Sequence, residues 1–189
     1  MPDDPTLLGL LAEIDAAGTE PDGPMFDGVA LARLSRIPNV ERYLVALASD
    51  PGADDTLRFV AANALFERSW KSWMESTESR AAIARVMTTA MQHDRLHNRW
   101  GLPGAFVGLY GSRLLSLGDV ARSPLREALN DSRLLNIAGS EAHTDQILGR
   151  FRVADLAGWL LSKLLGQAWP DSDDPATRDE AIRRLRELN

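Results

Sequence analysis

The chain contains no cysteine. Disulfides, iron–sulfur clusters and thiolate zinc sites are excluded, and a cytoplasmic location is expected. Lysine is almost missing: Lys71 and Lys163 are the only lysines, so nearly all the basic charge is arginine, a preference read as compositional. No apolar run approaches the roughly 20 residues of a membrane span, so no membrane association is expected. The opening Pro2-Asp3-Asp4-Pro5 offers neither a basic region nor an apolar one, which argues against a secretory leader. Positive charge is in short supply overall. The formal net charge is −6, and residues 1–27 carry Asp3, Asp4, Glu13, Asp15, Glu20, Asp22 and Asp27 with no lysine or arginine. Such a surface repels phosphate, so nucleic acid is not an expected partner. Sustained period-two alternation is missing too, which argues against strands.

What remains is helical periodicity. The strongest stretch is Arg150–Gln167, where Val153, Leu156, Ala157, Leu160, Leu161, Leu164 and Leu165 recur at three- and four-residue steps. Its apolar face is wide enough to require neighbours on more than one side, and Gly166 is a natural stop. Elsewhere, Asp4-Pro5 reads as a helix start, with Leu7, Leu8, Leu11 and Ile14 on one face and Gly18 at the end. Thr19–Asp27 reads as a loop. A short helix at Gly28–Arg36 should bury Val29, Leu31 and Leu34. Asn39 should cap a helix that buries Val40, Tyr43, Leu44 and Leu47. Asp54 or Asp55 opens a helix to about Trp70, with Phe59, Ala62, Leu65 and Phe66 inward. Ser76 or Thr77 opens another to about Met91.

Arg95–Gly104 looks irregular, and helix returns at Ala105–Leu117, where Gly104 and Gly108 would let a second helix approach. Ser123-Pro124 caps a short helix to Leu129. Asn130–Thr144 reads as loop with at most one helical turn. An acidic turn at Pro170–Pro175 precedes a last helix, Thr177–Leu188. A chain of 189 residues fits a single all-helical domain, 1–189, large enough to bury about 70% of its unfolded surface.

Three helices share a phase. Arg58 is followed at four and seven residues by Ala62 and Leu65, Arg152 by Leu156 and Trp159, and Arg178 by Ile182 and Leu185. Asp54-Asp55 and Asp173-Asp174 precede two of these arginines, and the spacing suits Asp54–Arg58 and Asp174–Arg178 pairs. The run Asp55-Thr56-Leu57-Arg58-Phe59-Val60-Ala61-Ala62-Asn63-Ala64-Leu65 resembles the second helix of HEAT-like repeats. Phe151–Ala157 and Thr177–Ile182 are similar to it, the likeness covering about a third of the chain. The resemblance implies an irregular α-solenoid or a curved bundle of antiparallel helices. It also implies that Arg152 is buried against an acid from a neighbouring helix, and that the surface binds proteins. The interval from Arg152 to Arg178 is shorter than a regular repeat, and Arg95–His143 shows no repeat.

Candidate chemistry is sparse. His93 and His97 are four apart, the spacing at which a helix offers two histidines to one metal, and His143 or Glu141 stand as third ligands. Asp94 is shorter than the glutamate that metal-dependent hydrolases place there. The simpler reading sets these cations at a helix C-terminus. Trp70 and Trp73, with Glu75, Arg68 and Lys71 nearby, imitate the aromatic and acidic residues of HEAT-like DNA glycosylases, but no basic stripe accompanies them. Trp70, Trp73 and Trp100 are the candidate partner-contact residues, tryptophans being common interface anchors. No catalytic residue and no cofactor is nominated. The expected function is non-catalytic binding of another, basic protein, as an immunity-type inhibitor of a toxin would do. The alternative is a glycosylase or a metal-dependent hydrolase.

Overall fold

The computed structural model describes residues 5–17, 28–67 and 72–188. Among these residues the protein is mostly helical, with eleven α-helices and one two-stranded hairpin. No helix among them is long and apolar enough to cross a membrane. The chain divides into two compact units, Met1–Ala90 and Met91–Asn189.

The first unit comprises α1 (Pro5–Ala17), α2 (Gly28–Leu34), α3 (Val40–Ser49), α4 (Asp55–Glu67), the single turn α5 (Ser72–Glu75) and most of α6 (Thr77–His93). Helix α4 is its centre, packed on α3 and α1. Every residue from Val60 to Leu65 is buried, and three of these six are alanines, so neighbouring helices can come close. Helix α1 contributes Leu7, Leu10, Leu11 and Ile14, and α3 contributes Val40, Leu44, Leu47 and Ala48. Three local expectations change. Val29 points outward at 67% exposure. Tyr43 is only half-buried. Asn39 has a left-handed backbone (φ 56°) and its side chain makes no capping bond. Asp4, Gly18, Thr19–Asp27 and Trp70 lie outside the described residues.

The second unit holds a hairpin of β1 (Gly101–Leu102) and β2 (Phe106–Val107), then α7 (Leu109–Ser116), a 3-10 turn (Gly118–Ala121), α8 (Arg122–Ala128), α9 (Ser140–Gly149), α10 (Val153–Leu165) and α11 (Pro175–Glu187). Helix α10 is the core of this unit. Ten successive residues, Val153–Ser162, are buried, because α7, α8 and α11 all pack on it. The wide apolar face read from the sequence thus has its several neighbours.

The stretch before α10 differs from expectation. The helix starts at Val153 rather than Arg150, and a separate helix, α9, begins inside the presumed loop at Ser140 and runs to Gly149. Arg150 ends α9 with a left-handed backbone (φ 47°). Residues 131–138 are non-helical and are stitched to residues 151–154, with an antiparallel bridge between Leu134 and Arg152. Leu135 N donates to Phe151 O, and Val153 N and Ala154 N donate to Arg133 O and Asp131 O. Those last two bonds satisfy donors that the first turn of α10 leaves without helical partners. Gln146, buried on α9, donates from Nε2 to Leu135 O at 3.0 Å and Phe151 O at 2.9 Å, which ties α9 into the same seam.

The glycines near residue 104 do not serve a helix–helix contact. Helix α7 begins only at Leu109, and Gly104 turns the hairpin with φ +81°. At Gly108 an added Cβ would stand 2.3 Å from Arg99 O, so that position admits no side chain.

Candidate functional site

The candidate histidine pair is not assembled. Helix α6 stops at His93, so residues 94–97 leave the helical path that would have aligned the two rings. His93 is exposed. His97 is 3% exposed, and both its nitrogens are engaged by backbone. Asn136 N donates to Nδ1 at 3.0 Å, and Nε2 lies 3.1 Å from Met91 O. That pattern fixes the neutral Nε2–H tautomer, and burial pushes the His97 pKa below its ordinary value. Asp94 accepts from Leu96 N at 3.2 Å and from Trp100 Nε1 at 2.8 Å. His143 Nδ1 contacts Ile137 O at 3.0 Å. Among the described residues no cluster of three His, Asp or Glu side chains could hold a metal.

The tryptophans are sorted by burial. Trp73 is 3% exposed and Trp100 is fully buried. Trp73 meets Phe66 edge-on at 5.0 Å, and Trp100 meets Tyr110 edge-on at 5.3 Å. Both are packing anchors inside their units and show no ring to a partner. Tyr110 also lies between two guanidiniums, with Arg99 at 5.7 Å and Arg113 at 5.9 Å from its ring, and burial raises its pKa.

The arginines with the shared phase do different things. Asp54 accepts from Leu57 N and Asp174 from Ala176 N and Thr177 N, so these two aspartates are N-caps, not partners of the arginines four residues on. Arg58 pairs instead with Asp55 at 2.8 Å. Arg152 is not the buried arginine the resemblance implies: its side chain is 21% exposed. It clasps Asp155 of its own helix through Nε and Nη2 at 3.0 and 2.8 Å, and reaches Asp179 of α11 at 2.6 Å. These carboxylates, Asp155 first, raise the Arg152 pKa.

The buried arginine is Arg178, whose side chain is 0% exposed beside an Asp155 that is also 0% exposed. Its Nη2 donates to Gly149 O at 2.6 Å and its Nη1 to Ser172 O at 3.0 Å, while its Cζ stacks 4.6 Å over the Phe151 ring. Its Nε lies 3.4 Å from Asp155 Oδ1 without hydrogen-bond geometry, so that contact is coulombic. A carboxylate out of water is costly unless its lone pairs are met. Arg152 N at 2.7 Å and the Arg152 guanidinium meet those of Asp155. The cluster anchors the start of α11 on the start of α10.

That anchoring shapes the surface beyond it. Between the 167–174 segment and α11 lies a groove of about 680 Å³. Trp169, Pro170, Ala181, Leu185 and Leu188 give it an apolar lining, and Asp174, Glu180 and Arg184 supply charge. Asp174 is held below the usual carboxylate range by the Thr177 hydroxyl and by the helix N–H groups of Ala176 and Thr177. Arg183 and then Arg184 hold Glu180 down at about 2. Both acids are therefore ionised at neutral pH. The sequence reading named the acidic turn but passed over Trp169. The available signal was Gly158, a glycine in the interior of the apolar helix α10, where Trp169 occupies the space a side chain would take.

Comparison of the chain with family models, with curated proteins and with solved structures returned no match.

Proposed function

We propose that this protein is a non-catalytic protein-binding module on a HEAT-like helical scaffold, acting in the cytoplasm as an immunity-type inhibitor of a basic partner. The observation that carries the reading is the groove along α11, whose lining sets Trp169, Pro170, Ala181, Leu185 and Leu188 beside Asp174, a carboxylate ionised at neutral pH. Apolar contact supplies affinity, and negative charge speeds capture of a basic protein.

Two features support the HEAT-like scaffold. Helices α4 and α11 share an aspartate N-cap and an arginine at the fourth helical position. In both, that arginine reaches a carbonyl at the C-terminal end of an earlier helix, Arg58 to Ala48 O in α3 and Arg178 to Gly149 O in α9. A cation there complements the helix dipole. Among the described residues the device is seen in both units, which supports an irregular repeat.

The test is purification together with the product of the adjacent gene. The expected result is a stoichiometric complex that weakens as salt rises and that abolishes the partner's activity. Stoichiometric zinc in the purified protein, or duplex DNA binding that survives physiological salt, would overturn the reading in favour of an enzyme.

A further inference from the structure

We infer that the α11 groove receives an extended segment of the partner, with an arginine or lysine of that segment against Trp169 and its apolar residues along α11. This rests on the protein-binding reading above and specifies what is recognised.

The first ground is the seating of Trp169. A glycine in a helix interior is unfavourable relative to alanine. Gly158 sits in the middle of α10, and a Cβ there would lie 2.6 Å from Cζ3 and 2.8 Å from Cη2 of Trp169. The far edge of the indole is therefore held on α10, while the residue lines the groove and stays half-buried. A ring fixed before binding loses little freedom when a ligand arrives.

The second ground is charge. From Gly166 to Thr177 the chain carries Asp171, Asp173 and Asp174 and no lysine or arginine. All three aspartates are exposed. The one cation lining the groove, Arg184, is paired with Glu180 at 2.8 Å. A cation at Trp169 would meet an aromatic ring and the neighbouring acidic 171–174 segment together, whereas an anion would be repelled by both.

The third ground is shape. Ala181 and the largely buried Leu185 lie one turn apart on α11, and Leu188 follows at its C-cap, so the three make an apolar strip in the lining that Trp169 shares. The groove lining on this side runs from Thr177 to Leu188, about 16 Å at the helical rise of ~1.5 Å per residue. That is the reach of about five extended residues. A single small cation would leave most of it uncovered.

The experiment uses the full chain labelled with nitrogen-15. The five tryptophan indole signals are followed on titration with a capped hexapeptide of alternating leucine and arginine. Its citrulline counterpart and arginine amide serve as controls, and Trp169→Phe assigns the signal. The expected result is a saturable shift of the Trp169 signal by the arginine peptide alone. Affinity should fall about tenfold in Trp169→Ala, the scale of a partly desolvated cation–π contact. Asp174→Asn, which keeps an N-cap but removes the charge, should weaken binding about threefold. Equal binding of the citrulline peptide or of arginine amide would overturn the inference, as would a shift that leaves Trp169 untouched. A neighbouring-gene partner that binds Trp169→Phe and Trp169→Ala as tightly as the unaltered chain would also overturn it, while leaving the protein-binding reading intact. Failure of every partner to bind the unaltered chain would overturn both.

Discussion

Helix α4 of the first unit and helix α11 of the second both begin with an aspartate cap and carry an arginine at the fourth position, Arg58 and Arg178. Their surroundings differ. The side chain of Arg58 keeps 17% of its exposure and pairs with Asp55, itself 70% exposed. Arg178 is fully buried, stacked on Phe151, bonded to two carbonyls and beside a buried carboxylate. The local motif sets the cap and the direction of the arginine. What stands opposite decides whether the side chain is a surface contact or a structural pin. Opposite α11 stands the start of α10, where Asp155 closes its own helix by accepting from Arg152 N.

The largest expected effect follows from that contrast. Arg178→Met should lower stability by about 3–5 kcal/mol, because it strips a partner from a buried charge. Arg58→Met should cost no more than about 1 kcal/mol, as exposed pairs do. Urea unfolding measures both. Next comes the core of the second unit. Leu160→Ala, at a fully buried position of α10, should cost about 2–5 kcal/mol through lost burial and a residual cavity. An unchanged midpoint would remove α10 from the core. A smaller effect should sharpen the comparison by abolishing it. Asp54→Ala and Asp174→Ala remove equivalent caps, so both should lower the urea midpoint by similar amounts, with no preference between the units.

The last contrast is one of sign. His97 belongs to the second unit, and burial depresses its folded pKa below the ordinary 6.5. The unfolded chain then binds the proton more readily than the folded one. The stabilisation is fully present above pH 6.5 and is lost as pH falls from there through the folded pKa. Urea unfolding across that range should show stability dropping on acidification, and His97→Gln should flatten the slope. A slope unchanged by the substitution would contradict the neutral buried ring.

The architecture was legible where one physical signal dominated. Leu156, Leu160 and Leu161 announced α10 because three neighbours cover it and every turn must be apolar. Helix α11 was legible from its apolar spacing, but its start reads two residues late, at Thr177, because Asp174-Pro175 reads as part of the acidic turn, whereas Asp174 is the cap and Pro175 the first helical residue. Helix α9 was hidden, since Gln146, its buried side chain, is polar and Ile147 and Leu148 are exposed at 61% and 67%, inverting the usual pattern. The hairpin was hidden because strands of two residues cannot show a period. Among the candidate residues, His97, Trp73 and Trp100 were chosen for chemistry that packing overrode. Trp169 was missed because it lies in the non-helical segment after α10; Gly158 hints at a close neighbour, but which residue fills its place appears only in three dimensions.

The most direct test of the claim that Asp155 and Arg178 form a buried pin is a double-mutant cycle of Asp155→Asn and Arg178→Met, read by urea unfolding beside the Asp55→Asn and Arg58→Met cycle. The account predicts a coupling of at least ~1 kcal/mol for the first pair and less than ~0.5 kcal/mol for the second. Additivity within ~0.5 kcal/mol at Asp155 and Arg178, matching the surface pair, would contradict it.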